Sequence, residues 1–111
     1  MDDAHGTGVL GMRGTGALEE TRTPASARVI QMGTLSKALG SQGGFIAGPS
    51  VVRDLMVSRS RAFMFDTGLA PACAGAARAA LTIVRREPGR RDRLHVLSRR
   101  AREALRAAGL A

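Results

Sequence analysis

The chain has 111 residues, a net charge of +8 at pH 7 and 44% hydrophobic residues, which is one domain's worth of globular composition. Three Phe with no Trp or Tyr leave little for a base-stacking surface, and no apolar run approaches the roughly eighteen residues of a membrane span. A single cysteine, Cys73, cannot close an internal disulfide, and with no signal-peptide pattern it points to a reducing, cytoplasmic setting.

Asp2 to Gly8 (DDAHGTG) places a carboxylate and an imidazole, Asp2 and His5, where both can face one site at the end of a strand. Alone, the run reads by default as a surface histidine beside two solvated acids. Cys73 and His95 lie too far along the chain to add metal ligands, so no metal site is expected. Gly14 to Gly16 and Thr21 to Ser26 read as loops around a short helical turn at Ala17 to Glu20. Arg28 to Gly33 is a short buried strand, and Phe45 to Ala47 is a second, closed by Gly48-Pro49. Ser50 to Ser58 reads as a helix capped by Ser50, and Phe63 to Phe65 as a third strand. An alanine-rich helix follows at Ala70 to Arg85, with Cys73, Ala76, Ala77, Ala80, Leu81 and Val84 in one stripe. A last helix runs from Arg90 to Ala108, with Leu94, Leu97, Ala101, Leu105 and Ala108 along one side.

Between the first two strands stands Lys37, the only lysine among seventeen basic residues. Guanidinium stays charged and is a poor nucleophile, so a position that must attack a carbonyl has to be lysine. Lys37 falls just past a strand end, where open α/β sheets bind ligands. Thr34 and Ser36 place hydroxyls beside it, and Gly40, Gly43 and Gly44 let backbone approach closely.

Three segments carry a resemblance: DDAHGTGVLG at Asp2 to Gly11, GTLSKALGSQGGFIAG at Gly33 to Gly48, and FDTGLAPA at Phe65 to Ala72. In that order they resemble the α-oxoamine synthases, pyridoxal 5'-phosphate (PLP) enzymes of the aminotransferase-like fold type I. The resemblance implies an α/β fold, part of a large PLP-binding domain with a mostly parallel sheet and flanking helices. It implies that residues 1–111 are the central part of that domain, with the N-terminal segment and the C-terminal small domain absent. Lys37 matches the lysine that forms the Schiff base with the cofactor and later moves the substrate proton. Asp2 matches the acid paired with the pyridine nitrogen, His5 the imidazole on the phenolic oxygen, and Thr34 a hydroxyl on the phosphate. Thr67 matches a hydroxyl that reaches the phosphate of the partner subunit in a homodimer. HGTGVLG is most similar to the branch of acyltransferases that condenses L-alanine with pimeloyl-CoA or pimeloyl-acyl-carrier protein, giving 8-amino-7-oxononanoate in biotin biosynthesis. Branches acting on glycine with acetyl-CoA, or making 5-aminolevulinate or sphingoid bases, remain alternatives.

Charge supplies a rival of another class. Ten arginines from Arg78 onward face three acids and account for seven of the eight net positive charges. A basic helix of that kind suits nucleic acid, an acidic membrane, an acidic carrier protein or coenzyme A phosphates. With no nucleic-acid-reading motif and no aromatic platform, the arginines read as a solvated face with snorkelling stems, without nucleic-acid or membrane partners.

Overall fold

The computed structural model describes residues 1–110. Its organising unit is a pair of strands, β1 (Gln31–Thr34) and β2 (Gly44–Ala47), joined by the loop that carries Lys37. They pair antiparallel in the register Gln31 to Ala47, Met32 to Ile46, Gly33 to Phe45 and Thr34 to Gly44. The other edge of β1 bears the parallel pairing expected of the large domain, as a single bridge between Asp2 and Met32. The first strand therefore starts three residues later than the apolar pattern of Arg28 to Gly33 suggests. Val29 is spent on a turn instead, its N–H donating to the Ser26 carbonyl at 3.0 Å.

Ahead of the strands, α1 (Ala17–Glu20) is the short helical turn that the sequence predicts. Its two acids hold the loop before it. Glu19 accepts from the backbone N–H groups of Arg13 and Thr15 and from both their side chains, and Glu20 accepts from the Gly11 N–H at 3.0 Å.

Four helices follow the strands: α2 (Ser50–Arg59), α3 (Arg61–Met64), α4 (Pro71–Arg86) and α5 (Gly89–Ala107). Three sequence expectations change here. Ser50 is the first helical residue rather than the cap, since Pro49 holds the capping position and no side chain caps the helix. Among the described residues the third strand is absent: Phe63 and Met64 belong to α3, because the chain turns helical directly after the extended residue Ser60. Arg61 then lies over the Phe65 ring, 5.8 Å from its centroid, as helical spacing allows. Finally, Arg91 is buried rather than part of a solvated basic face.

α4 begins with Pro71 in its first turn, where the missing N–H costs nothing. Its stripe packs only in part: Ala77 is buried, Cys73, Ala80 and Val84 are half-buried, and Ala76 and Leu81 are exposed. On α5 the leucines of the expected stripe, Leu94, Leu97 and Leu105, are exposed. The hydrophobic core among the described residues is limited to Leu39 and Ala77. A radius of gyration of 16.6 Å, with extents of 53 × 32 × 30 Å, exceeds the roughly 13 Å of a compact domain this long. Among the described residues no helix is long and apolar enough to cross a membrane.

Candidate active site

Asp2 sits on the parallel bridge. The Met32 N–H donates to the Met1 carbonyl at 2.9 Å, and the Asp3 N–H donates to the Met32 carbonyl at 2.8 Å. Parallel pairing sends both segments out of the same sheet edge. His5, three residues past Asp2, and Lys37, five past Met32, therefore leave the sheet from one side. That is the juxtaposition a shared site requires, and it comes from two backbone hydrogen bonds.

The two loops then touch. Gly6 and Thr7 turn their N–H groups back onto the Asp3 carbonyl at 3.1 and 3.0 Å, which brings Gly8 round with φ of 82°. Gly8 lies so close to the lysine loop that a Cβ there would stand 2.7 Å from the Ala38 methyl. Only glycine satisfies both the left-handed backbone and the close approach.

Lys37 rides the apex of a fastened loop. The Leu35 N–H donates to the Gly43 carbonyl at 2.9 Å, the Ser41 N–H to Leu35 at 2.8 Å, and the Gly40 N–H to Lys37 itself at 3.0 Å. Leu39 drives into the core, and the Ser41 hydroxyl donates to the Cys73 carbonyl at 2.7 Å, tying the loop to the first turn of α4. Lys37 is left exposed between these anchors.

Thr34 occupies the base of the same loop. Its hydroxyl donates to the Gly43 carbonyl at 3.1 Å, accepts the Ser36 N–H at 3.2 Å and pairs with the Ser36 hydroxyl at 2.7 Å. Two hydroxyls are thus adjacent to the lysine, with rotatable protons that an anionic ligand could claim.

The Asp2 carboxylate accepts the Ala4 N–H at 2.9 Å, a local turn that orients it, and it is exposed like His5. Thr67 stands apart. It is exposed on the segment between α3 and α4, where its N–H donates to the Asp66 carboxylate at 2.8 Å. Among the described residues no side-chain hydrogen bond links Thr67 to the other four. Its segment nevertheless borders the lysine loop, because Leu69 packs over Gly43.

Two residues beside the site escape the sequence reading. Asp3 is 2% exposed and holds the loop together from beneath, and Ser41 fastens the lysine loop. Alternation along the extended chain is the signal for the first, since neighbouring acids must face opposite ways.

A family model for aminotransferase class I and II matches residues 1–111. The chain belongs to the aminotransferase class I and II family. It is 52% identical over 94 residues to 8-amino-7-oxononanoate synthase of Mycolicibacterium gilvum, a match covering 85% of this chain and 25% of that protein. The crystal structure of 8-amino-7-oxononanoate synthase from Francisella tularensis superposes with a TM-score of 0.73 at 29% identity, over 84% of this chain and 28% of that one. A high-resolution structure of SPT with its PLP internal aldimine superposes with a TM-score of 0.85 at 26% identity, over 97% and 27%. The chain therefore spans about a quarter of the length of the relatives it matches. As a member of this family it has the α/β architecture of PLP fold type I over the matched region. The closer superposition on SPT and the higher identity to the synthase do not conflict. A TM-score reports backbone similarity and identity reports residue types, so the two comparisons measure different things.

Proposed function

We propose that this chain is the central part of a PLP-dependent acyltransferase's large domain. The reaction would be the decarboxylative condensation of L-alanine with a pimeloyl thioester, CoA or acyl-carrier protein. The products are 8-amino-7-oxononanoate, CO2 and the free thiol. The observation that carries this reading is the Asp2 to Met32 bridge, which brings carboxylate, imidazole and the single lysine to one sheet edge.

The donor set fits the cofactor group by group. A carboxylate at Asp2 suits a protonated ring nitrogen, an imidazole at His5 a phenolic oxygen, and the Lys37 amine an aldehyde. The hydroxyls of Thr34 and Ser36 suit phosphate oxygens once the Thr34 proton swings from the Gly43 carbonyl. PLP, when bound, supplies the electron sink that makes the α-carbon of an amino acid nucleophilic.

This chain's residues do the rest. Lys37 would hold the cofactor aldehyde through its amine, and the same amine is the group that would move the α-proton of the substrate. Asp2 would hold the ring nitrogen as its carboxylate partner. His5 would hold the phenolic oxygen through one of its ring nitrogens. The fastening of the loop through Ser41 and Leu39 keeps the amine from wandering, which is the orientational part of catalysis. In this reading Thr67, exposed beside the lysine loop, would reach the phosphate held by the second subunit of a homodimer.

The single lysine makes the test direct. The chain is incubated with PLP, reduced with borohydride and mapped by mass spectrometry, with Lys37→Ala as control. Saturable labelling at Lys37 is expected, followed by turnover of alanine and pimeloyl thioester in the dimeric, full-length context. Label confined to the Met1 amine, which donates to the Ile30 carbonyl at 2.8 Å, or at neither amine, would overturn the assignment for this chain.

A further inference from the structure

Asp3 is 2% exposed and is held by three donors: the Gln31 side-chain amide at 2.7 Å, the Thr7 hydroxyl at 2.9 Å and the Ala17 N–H at 2.9 Å. These come from three different segments, namely β1, the loop after His5 and the first turn of α1. No cation pairs with it among the described residues. Gly6 and Gly16 wall the carboxylate so closely that a Cβ on either would collide with it, and Gly16 also holds φ of 102°. The pocket is shaped around this group, while its neighbour Asp2 is exposed.

We propose that Asp3 is a positioning residue that sets the register of Asp2 and the His5 loop against β1. It does so through hydrogen-bond geometry rather than through its charge. Its backbone N–H and its side chain grip consecutive residues of β1, Met32 and Gln31. A slip of one residue would turn Asp2 inward and Asp3 out, because successive side chains on an extended strand face opposite ways. The register thus decides which of two chemically identical groups reaches the site. Its bearing on catalysis rests on the proposed role of Asp2, whereas the register itself does not.

The donor pattern yields a swap test. In Asp3→Asn, the Asn carbonyl keeps the Ala17 N–H. Its amide can serve the Thr7 oxygen and, if the Gln31 amide turns over, the Gln31 oxygen as well. In Gln31→Glu, two carboxylates face each other and the contact fails. In the double variant Asp3→Asn/Gln31→Glu, amide meets carboxylate and the contact is restored with donor and acceptor exchanged.

Hydrogen exchange of the Asp3 and Met32 amides is read in the full chain for all four proteins. Exchange near the native rate is expected for Asp3→Asn, roughly tenfold or more faster for Gln31→Glu, and near native again for the double variant. A double variant no better protected than Gln31→Glu, or an Asp3→Asn as unprotected as Gln31→Glu, would overturn the proposal. Labelling of Lys37 by PLP in the same proteins keeps the two ideas apart. A native chain that takes no label sinks the cofactor reading, while the exchange pattern still decides the register.

Discussion

The guanidinium of Arg91 donates to the Met12 carbonyl at 2.8 Å, across 79 positions of sequence, and to the Val84 carbonyl at 2.7 Å. One buried side chain thus fastens the loop before α1 to the end of α4 and the start of α5. Among the described residues the apolar core is limited to Leu39 and Ala77, so a link between distant segments matters for holding them together. Arg91→Ala should cost about 3 kcal/mol, since two charge-assisted hydrogen bonds are lost and two carbonyls are left without partners. Arg91→Lys can keep one of the two and should cost about half as much. Arg90→Ala and Arg93→Ala, at exposed positions on the same helix, should stay within about 0.5 kcal/mol. Urea titrations followed by circular dichroism would rank the four.

Acid should loosen the loop ahead of α1 before it reaches the helices. The Thr15 hydroxyl, then the Arg13 side chain and the N–H groups of both residues, lower the Glu19 carboxyl from 4.5 to about 2. The folded form therefore binds its proton later than the unfolded chain does. The stabilisation is complete above pH 4.5 and is lost as pH falls from there through about 2. Amide exchange at Arg13 and Thr15 should accelerate across that window, and Glu19→Gln should abolish the pH dependence while leaving those amides poorly protected throughout.

Two glycines of positive φ separate strain from collision. Gly8→Ala forces a methyl 2.7 Å from the Ala38 methyl as well as an unfavourable backbone, whereas Gly40, with φ of 57°, has open space around it. Gly40→Ala should cost only the conformational part, about 1 kcal/mol. Gly8→Ala should cost about 2 kcal/mol or more and displace the lysine loop, so the rate of PLP labelling at Lys37 should fall in the first variant and not in the second.

How much of this was legible in the sequence depended on what kind of signal each feature leaves. The Lys37 loop announced itself because glycines and hydroxyl residues punctuate it between two apolar runs, and the helices from Pro71 and Gly89 followed from alanine and leucine spacing to within a residue or so. Phe63 to Phe65 misled because three apolar residues are too few to carry either period. The division of labour between Asp2 and Asp3 was hidden, since it depends on the bridge to Met32 and not on residue type. Arg91 was hidden for a related reason: its partners are backbone carbonyls, which no charge pattern displays. The leucines of α5 show a different case: the spacing marked a helix, which the structure shows, but Leu94, Leu97 and Leu105 are exposed on it.

The most discriminating variant for the proposed chemistry is Asp2→Asn. Asn keeps the side-chain oxygen that accepts the Ala4 N–H at 2.9 Å, and it leaves the backbone bridge to Met32 untouched. The local turn should survive, with circular dichroism and amide exchange at Asp3 and Met32 unchanged. What disappears is the negative charge, and with it the preference for a protonated ring nitrogen. If Asp2 is the cofactor acid, PLP affinity measured by absorbance should weaken by about tenfold, the scale of one lost charge-assisted contact. Asp54→Asn, at an exposed carboxylate whose partner is Arg53, should leave PLP affinity where it was. Equal behaviour of the two variants would detach Asp2 from the cofactor, since both remove one carboxylate charge and only one of them lies at the sheet edge from which Lys37 departs.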